Sequence, residues 1–252
     1  MRGIYNAAGS MLVNQVRLEN ISNNLANLNT PGYKRSEVVV GAFPEILLHR
    51  IEKNSSGRTA LFLTGIAAEN IAVEDTFHVH TGGALRSTDR LLDLALQGQG
   101  FFALETPDGL RFGRDGHFQL NGEGVLVNSK GFPILGEAGA ITLKTGQPVV
   151  DRVGNVYDDG ERVDRLRLHT FAPDDSLFKD GYGLFQAGPG VMPQQAEDTV
   201  IFQGFLEESN ADLSRQMTDM LKVRRSYEAA QKISQAYDRM LSRAANELGS
   251  LR

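Results

Sequence analysis

The sequence predicts a mixed α and β fold, in which an antiparallel all-β central domain (a barrel- or sandwich-like meander) is flanked by long N- and C-terminal helices that pair as a coiled-coil-like layer. Two observations predict this fold. Apolar residues recur at steps of three and four near both ends of the chain, which is the spacing of an amphipathic helix. Between residues 91 and 206, short apolar runs alternate with glycine-containing turns, which is the pattern of antiparallel strands.

The C-terminal helix is predicted over residues 211–248, with Ser209 or Asn210 as its N-cap. Neither proline nor glycine interrupts it before Gly249. At 1.5 Å per residue it is a rod of about 57 Å, longer than the roughly 30 Å of a small domain, so it needs a partner beyond one core. One apolar face runs along its length, and we expect an assembly seam there formed by Leu213, Met217, Met220, Tyr227, Tyr237, Leu241 and Leu248.

The N-terminal helix is predicted from Ile4 to about Leu28, and its stripe has one polar member, Asn14. It ends in an asparagine-rich segment and a turn at Pro31-Gly32, where glycine suits the positive φ of a type II turn. Two interpretations are open: a helix packed on the main domain, or a helix paired with the other chain end and with neighbouring subunits. The narrow stripe favours the second, with the seam residues Met11, Leu18, Ile21, Leu25 and Leu28.

Residues 35–90 are predicted to form an extended connecting segment, with a strand at Val38–Val40 and a short helix at Phe43–Ile51. His78 and His80 would share one face of a strand, either as a metal pair or as part of a surface. Because the sequence offers no third ligand nearby, the surface interpretation is favoured. The chain therefore divides into 1–34 (helix and exit turn), 35–90 (connecting segment), 91–206 (β-rich body) and 207–252 (C-terminal helix).

Composition and motifs argue against an enzyme, and we expect no cofactor and no metal. The chain of 252 residues has no cysteine and a net charge of −5, which excludes disulfides and gives no general reason to expect nucleic acid. The Gly98–Ala103 stretch formally matches a dinucleotide-binding fingerprint, but strand-like residues follow it where a helix would have to begin. The N-terminal residues lack the apolar core of a cleaved signal peptide, so none is expected.

Three blocks of sequence are similar to those of a known family: NNLANLNTPGYK at 23–34, DLALQGQGFF at 93–102 with RDG at 114–116, and ESNADL at 208–213 leading to RSYE at 225–228. On these blocks the chain resembles the bacterial flagellar axial proteins of the hook–rod family, most closely the basal-body rod proteins of the FlgF and FlgG types. The residues that carry the motif are Asn24, Asn27, Thr30, Pro31, Gly32, Tyr33, Gly98, Gly100, Phe101, Phe102, Ser209 and Asn210.

The resemblance implies a structural subunit without enzymatic activity, in the flagellar basal body within the periplasm or cell-wall zone. It implies polymerisation through the terminal helices into the helical shaft used for motility. The implied partners are further copies of the chain, other rod and hook proteins, and the flagellar type III export apparatus, with no nucleic acid and no small-molecule substrate. The alternative interpretation is a β-domain adhesin or binding module with a helical oligomerisation stalk.

Overall fold

The computed structural model describes residues 2–42, 46–53, 59–67, 71–172, 177–196 and 198–249. The chain separates into two compact units, one made of residues 1–25, 36–78 and 212–252 and the other of residues 26–35 and 79–211. The first is called the helical unit here, and the second the β unit. Both the mixed α and β composition and the antiparallel pairing of the strands are confirmed.

The helical unit contains two long helices and two strand pairs. β1 pairs antiparallel with β4, and β2 pairs antiparallel with β3. The strand predicted at Val38–Val40 is confirmed within β1, whereas the short helix predicted at Phe43–Ile51 is wrong, because its described part lies in β2; residues 43–45 lie outside the described part of the chain. The elements are α1 (Arg2–Ala26), β1 (Ser36–Ala42), β2 (Ile46–Lys53), β3 (Thr59–Ala67), β4 (Ile71–His78) and α2 (Leu213–Gly249).

The β unit consists of short strands, all of whose described pairings are antiparallel. Its strands are β5 (Leu85–Ser87), β6 (Leu94–Gln97), β7 (Phe101–Thr106), β8 (Gly109–Gly113), β9 (Phe118–Leu120), β10 (Leu126–Asn128), β11 (Val149–Val150), β12 (Asn155–Asp158), β13 (Glu161–Arg165), β14 (Leu168–Thr170), β15 (Leu177–Lys179), β16 (Phe185–Ala187), β17 (Gln194–Gln195), β18 (Val200–Gln203) and β19 (Phe205–Glu207).

The largest sheet of the β unit has the strand order β15-β16-β8-β7-β14-β17. Smaller sheets pair β6 with β18, β5 with β19 and β9 with β10, and β12 lies between β11 and β13. The main core contains Phe102 and Phe118 together with aliphatic side chains such as Leu94 and Ile134. The rings of Phe102 and Phe118 meet edge to face, with their centroids 5.1 Å apart. The β-rich body predicted in the middle of the chain therefore has an apolar interior, and a second, smaller cluster is formed by Phe101, Phe112, Phe171 and Phe185.

The start of α2 is set by a different residue from the ones that the sequence suggests. Asp212 accepts a hydrogen bond at Oδ1 from the backbone N–H of Arg215, at 2.7 Å, which is the contact of an N-cap. The prediction that Ser209 or Asn210 caps the helix is wrong, because the Asn210 side chain binds other backbone groups. Among the described residues, neither helix has the sustained apolar stretch that crossing a lipid bilayer requires.

His169 in β14 is buried in a small aromatic cluster and provides a test of the core. Its ring lies 5.4 Å from that of Phe112, and burial, with a smaller contribution from the charge of Arg167, lowers the pKa of His169 below its ordinary value. A folded-state pKa below the unfolded value means that the unfolded chain binds the proton more readily, so stability falls as pH falls from about 6.5 through the folded pKa.

We expect His169→Phe to remove this contribution to acid destabilisation. Urea unfolding followed by circular dichroism at several pH values between about 5 and 7.5 should show a smaller loss of stability on acidification than in the unmodified protein. An unchanged pH slope in His169→Phe would show that the buried imidazole does not contribute.

Candidate assembly surfaces

The two long helices of the helical unit run antiparallel with a constant register. Gly3 faces Tyr237, since a Cβ atom on Gly3 would lie 2.3 Å from the tyrosine Oη. Further along, the amide of Asn14 donates to Ser226 Oγ at 3.1 Å, and the amide of Asn24 donates to Gln216 Oε1 at 3.4 Å. These three contacts connect residues whose numbers add to the same value, which is the mark of an in-register antiparallel pair.

Buried polar side chains lie on the facing sides of this helix pair. Asn24 is buried, accepts the backbone N–H of Ser36 at 3.0 Å and donates to the Ser36 carbonyl at 2.9 Å, so that it also binds the first strand of the same unit. Asn20 donates to Ser36 Oγ at 2.7 Å. An amide among apolar neighbours is stable only where its partners are aligned, so these residues favour one register over its alternatives.

The predicted seam residues differ widely in burial. Ile21 is buried, whereas the seam leucines of the first helix lie beside the buried face rather than at its centre. The Leu248 side chain lies outside the described part of the chain, so its burial stays a prediction. Met11, Leu18, Leu25, Leu28, Met220 and Tyr227 are half-buried, and Leu213, Met217, Tyr237 and Leu241 are exposed.

The far end of α2 has no helix beside it among the described residues. By the register of the pair, Arg2 of α1 lies opposite Asp238, so the stretch from Arg239 to Gly249 continues past α1 for about 16 Å. Every described side chain from residue 235 to residue 246 is exposed. Met240 is 64% exposed and Leu241 49% exposed, so two adjacent large apolar side chains of this stretch contact solvent.

In the β unit, residues from the first two family blocks meet Glu207, which directly precedes the third block, in one buried ionic cluster. Glu207 Oε1 lies 2.5 Å from Lys34 Nζ, and Glu207 Oε2 lies 3.1 Å from Arg114 Nη1. All three side chains are at most 1% exposed. Burial is the main reason that the pKa of Lys34 and the pKa of Arg114 are lowered from their ordinary values, and the attraction of Glu207 opposes it.

Hydrogen bonds to the backbone complete the ionic cluster. Lys34 Nζ donates to the Thr81 carbonyl at 2.8 Å, Arg114 Nη2 to the Gly98 carbonyl at 2.5 Å, and the Gly83 N–H to Glu207 Oε1 at 2.8 Å. The Arg114 guanidinium also lies over the ring of Phe101, 5.1 Å from its centroid. A buried ion group survives only with such additional partners, because its desolvation is costly.

Asn210 joins the segment that follows α1 to the segment that precedes α2. Its Oδ1 accepts the Arg35 N–H at 2.7 Å, while its Nδ2 donates to the carbonyls of Val79 at 2.7 Å and Thr81 at 3.1 Å. Ser209 has a local role, since its Oγ accepts the N–H of Ala211 at 3.2 Å. Asn210 therefore uses both the oxygen and the nitrogen of its amide to bind backbone groups from two separate segments of the β unit.

The glycines of the family blocks allow close backbone approach. Gly32 has φ +64°, donates its N–H to the Glu207 carbonyl at 2.8 Å, and a Cβ there would lie 2.3 Å from the Arg114 backbone. Gly98 has φ +121°, and a Cβ on Gly100 would lie 2.7 Å from Thr199 Oγ1. At Gly32 an added side chain would meet backbone atoms, which cannot move aside as a side-chain end can.

The remaining motif residues form the turn and the core. Thr30 Oγ1 donates to Asn27 Oδ1 at 3.1 Å within the turn that also contains Pro31. Tyr33 is buried beneath Lys179, whose Nζ lies 4.0 Å from the ring centroid. Phe101 and Phe102 alternate between the two apolar clusters of the β unit. The motif residues of this turn and of the two clusters thus have structural roles.

Sequence analysis missed Glu207 and the roles of Lys34 and Arg114. Lys34 and Arg114 lie inside two of the sequence blocks, and Glu207 comes just before the third block. Because charged residues are mostly exposed in proteins, the sequence predicts a surface position for all three. The one available signal was that Lys34 directly follows the motif residue Tyr33, that Arg114 begins the RDG block, and that Glu207 lies two residues before the motif residue Ser209. His78 ends β4 and His80 follows it, and no group of three or more metal-ligating side chains occurs among residues 2–249 wherever the structure describes them.

We expect Glu207→Gln to lower the free energy of unfolding by about 3–5 kcal/mol, because it leaves two buried cations without a counter-charge. Urea denaturation followed by circular dichroism measures this change. The neighbouring Glu208→Gln is the matched control, since Glu208 pairs with Arg86 at the surface with side chains 49% and 59% exposed. That control should lose less than about 1 kcal/mol, and equal losses in the two variants would contradict the assigned role of Glu207.

Family models match three parts of the chain. Residues 4–34 match the flagella basal body rod protein model, residues 95–158 the flagellar hook protein FlgE/F/G D1 domain, and residues 203–248 the flagellar basal body rod FlgEFG protein C-terminal model. The first and third include α1 and most of α2, and the second begins in β6.

Relatives align along nearly the whole chain. It is 32% identical to the flagellar hook-basal body complex protein FlhO of Bacillus subtilis strain 168, with 100% of both chains covered. It is 30% identical to the flagellar basal-body rod protein FlgG of the same strain, with 98% of both covered, and 31% identical to the flagellar basal-body rod protein FlgF of Caulobacter vibrioides, with 93% of this chain and 92% of the relative covered. The chain belongs to the flagellar hook–basal body rod protein family, of the FlgF/FlgG type.

Proposed function

We propose that this chain is a structural subunit of the flagellar basal-body rod and that it polymerises through its terminal helices. The observation that carries the proposal is the apolar face of α2 that continues past α1. Family membership supports a structural role in the basal body rather than an enzymatic one, and it favours the rod over the adhesin alternative.

Burial of this face supplies the driving force for assembly. In the stretch Tyr227, Ala230, Ser234, Tyr237 and Leu241, the steps of four and three place all five side chains on one face of α2. Tyr227, Ala230 and Ser234 are buried or half-buried beside α1, whereas Tyr237 near the start of α1 and Leu241 beyond it are exposed. Full burial of a large apolar side chain contributes roughly 1.5–3 kcal/mol, so a few of them in each contact can stabilise a polymer.

A second exposed row lies at the start of α2, where Leu213, Met217 and Leu221 follow one another at steps of four. It lies on a different side of the helix from Gln216 and Ala230, which are buried in the subunit. Two apolar rows in different directions suit a subunit that contacts more than one neighbour. Open helical polymers need such unlike surfaces, whereas a closed dimer uses one surface twice.

The pairing of α1 with α2 as a coiled-coil-like layer is part of this proposal. The asparagines on the facing sides act as a single polar position acts in a coiled coil, which lowers stability and specifies register. The predicted seam residues would then be covered by the equivalent helices of neighbouring subunits. The division of the chain into 1–34, 35–90, 91–206 and 207–252 is also part of the proposal. In it, the helices at the two ends of the chain lie inside the assembly.

The proposed partners are further copies of this chain and other axial proteins of the rod and hook. We also propose that the chain is exported through the flagellar type III apparatus without a cleaved signal. Its proposed location is the periplasm or cell-wall zone. The names of the relatives, which are rod and hook–basal body proteins, support this location.

We expect Leu241→Asp to abolish incorporation into the rod while the isolated subunit keeps its secondary structure, because the side chain is already exposed in the subunit. Complementation of a strain that lacks the gene, with swimming motility and immunoblots of purified basal bodies, measures the effect. Ser242→Asp places the same charge one residue away, about 100° around the helix, and should assemble normally.

If Leu241→Asp subunits are incorporated as well as Ser242→Asp subunits, the continued face of α2 is not an assembly surface. Electron microscopy of the concentrated protein provides a second readout. Helical polymers are the expected product, and closed small oligomers would support the adhesin alternative instead.

A further inference from the structure

A cleft in the β unit is unexplained by the assembly of the helices. It has a volume of about 180 Å³ and lies between the turn around Tyr33, the end of β8 at Gly113 and the loop between β15 and β16. The turn that forms one wall belongs to the first family block, so the motif that leads out of α1 also shapes this cleft.

The cleft is strongly positive in a protein of net negative charge. Its walls include the four cations Lys34, Arg114, Lys130 and Lys179 and one carboxylate, Asp115. The chain as a whole has a net charge of −5. The charges of Lys34 and Arg114 are partly balanced by Glu207 behind the wall, but this carboxylate is already shared between two cations.

The two outer lysines have no acidic partner among the described residues. Lys179 Nζ lies 4.0 Å from the centroid of the Tyr33 ring, and Lys130 Nζ lies 5.8 Å from that of Tyr182 and donates to the Tyr182 carbonyl. Burial first, and then the charge of Lys130, lower the pKa of Lys179. Two ammonium groups therefore lie in the wall of one cleft, each over an aromatic ring, and an anion bound between them would be stabilised by both charges.

Asp115 does not fill this role. Its Oδ1 accepts the backbone N–H of His117 at 3.0 Å, and burial raises its pKa, so this carboxylate gives up its proton less readily than an exposed aspartate. The lysines stay available to a carboxylate from outside the subunit.

We propose that this cleft binds the carboxylate of an aspartate or glutamate side chain from a neighbouring copy of this chain in the rod. The inference rests on the proposed function and adds a polar contact to the helical assembly surface. The net charge of −5 means that a second copy presents an excess of carboxylates to its neighbours.

Zero-length crosslinking tests the contact directly. A water-soluble carbodiimide joins a carboxylate to an amine only when the two are in contact. Purified basal bodies that contain the protein, and separately the dilute monomer, are treated and digested for mass spectrometry. We expect links from Lys179 or Lys130 to an aspartate or glutamate of the same sequence in basal bodies, and we expect these links to be missing from the monomer.

Variants measure how much the contact contributes. The pair Lys130→Met and Lys179→Met, combined in one chain, should lower the amount of protein in basal bodies about tenfold or more, because charge-assisted hydrogen bonds are lost. Lys144→Met removes an exposed lysine of the same unit that lies outside the cleft, and it should assemble at the normal level. Circular dichroism of the double variant confirms that it folds.

Each result of these experiments bears on a stated claim. Basal bodies that contain the protein but yield no links from either lysine, or the same links in the monomer, overturn the inference and leave the rod function intact. Links to a different axial protein overturn the choice of a second copy. If the monomer binds glutarate at the two lysines, measured by nuclear magnetic resonance, and basal bodies show no links, the cleft is a small-molecule site. Basal bodies that lack the protein overturn both the inference and the proposed function.

Discussion

The β unit depends on one buried carboxylate, that of Glu207. It lies between two buried cations, and its partners come from parts of the chain that are far apart in sequence. Lys34 belongs to the segment after α1, Arg114 to the segment after β8, and Glu207 to the last strand before α2. Apolar packing is tolerant of small displacements, whereas this ion cluster is satisfied only in one arrangement. It therefore determines where the chain enters and leaves the β unit, although apolar contacts supply most of the stability.

In the helical unit, polar contacts likewise determine one arrangement, but part of the apolar surface stays exposed. Asn14 and Asn24 pair with Ser226 and Gln216 across the two helices and determine which residues face each other. Because α2 is longer than α1 and the register is constant, the excess length lies at one end. The exposed Leu241 is thus a consequence of register, and the surface it forms is what a neighbouring subunit can cover.

Sequence reasoning performed well where a periodic pattern carries the information. Both helices and the antiparallel strands follow from residue spacing, because burial of one face imposes a period of about 3.6 on helices and 2 on strands. It performed poorly at boundaries and caps: the N-cap is Asp212, and residues 46–51, which were predicted as part of a short helix, lie in β2. Ser209, Asn210 and Asp212 all suit an N-cap by type, and only the position of the first helical turn distinguishes them.

The candidate assembly surfaces also contain some features that can be predicted from the sequence and others that cannot. The motif residues were recognisable in the sequence as three separate blocks, and so was the family. Tertiary structure decides that these blocks come together: Lys34 and Arg114 share the carboxylate of Glu207, and Asn210 binds backbone groups of Arg35 and Val79. The sequence alone determined the two long helices with their apolar faces, the strands of the β-rich body and the structural class, since these depend on local spacing and composition. Only the tertiary structure decided the helix register, the role of Glu207 and the positive cleft, because each depends on contacts between residues distant in the chain.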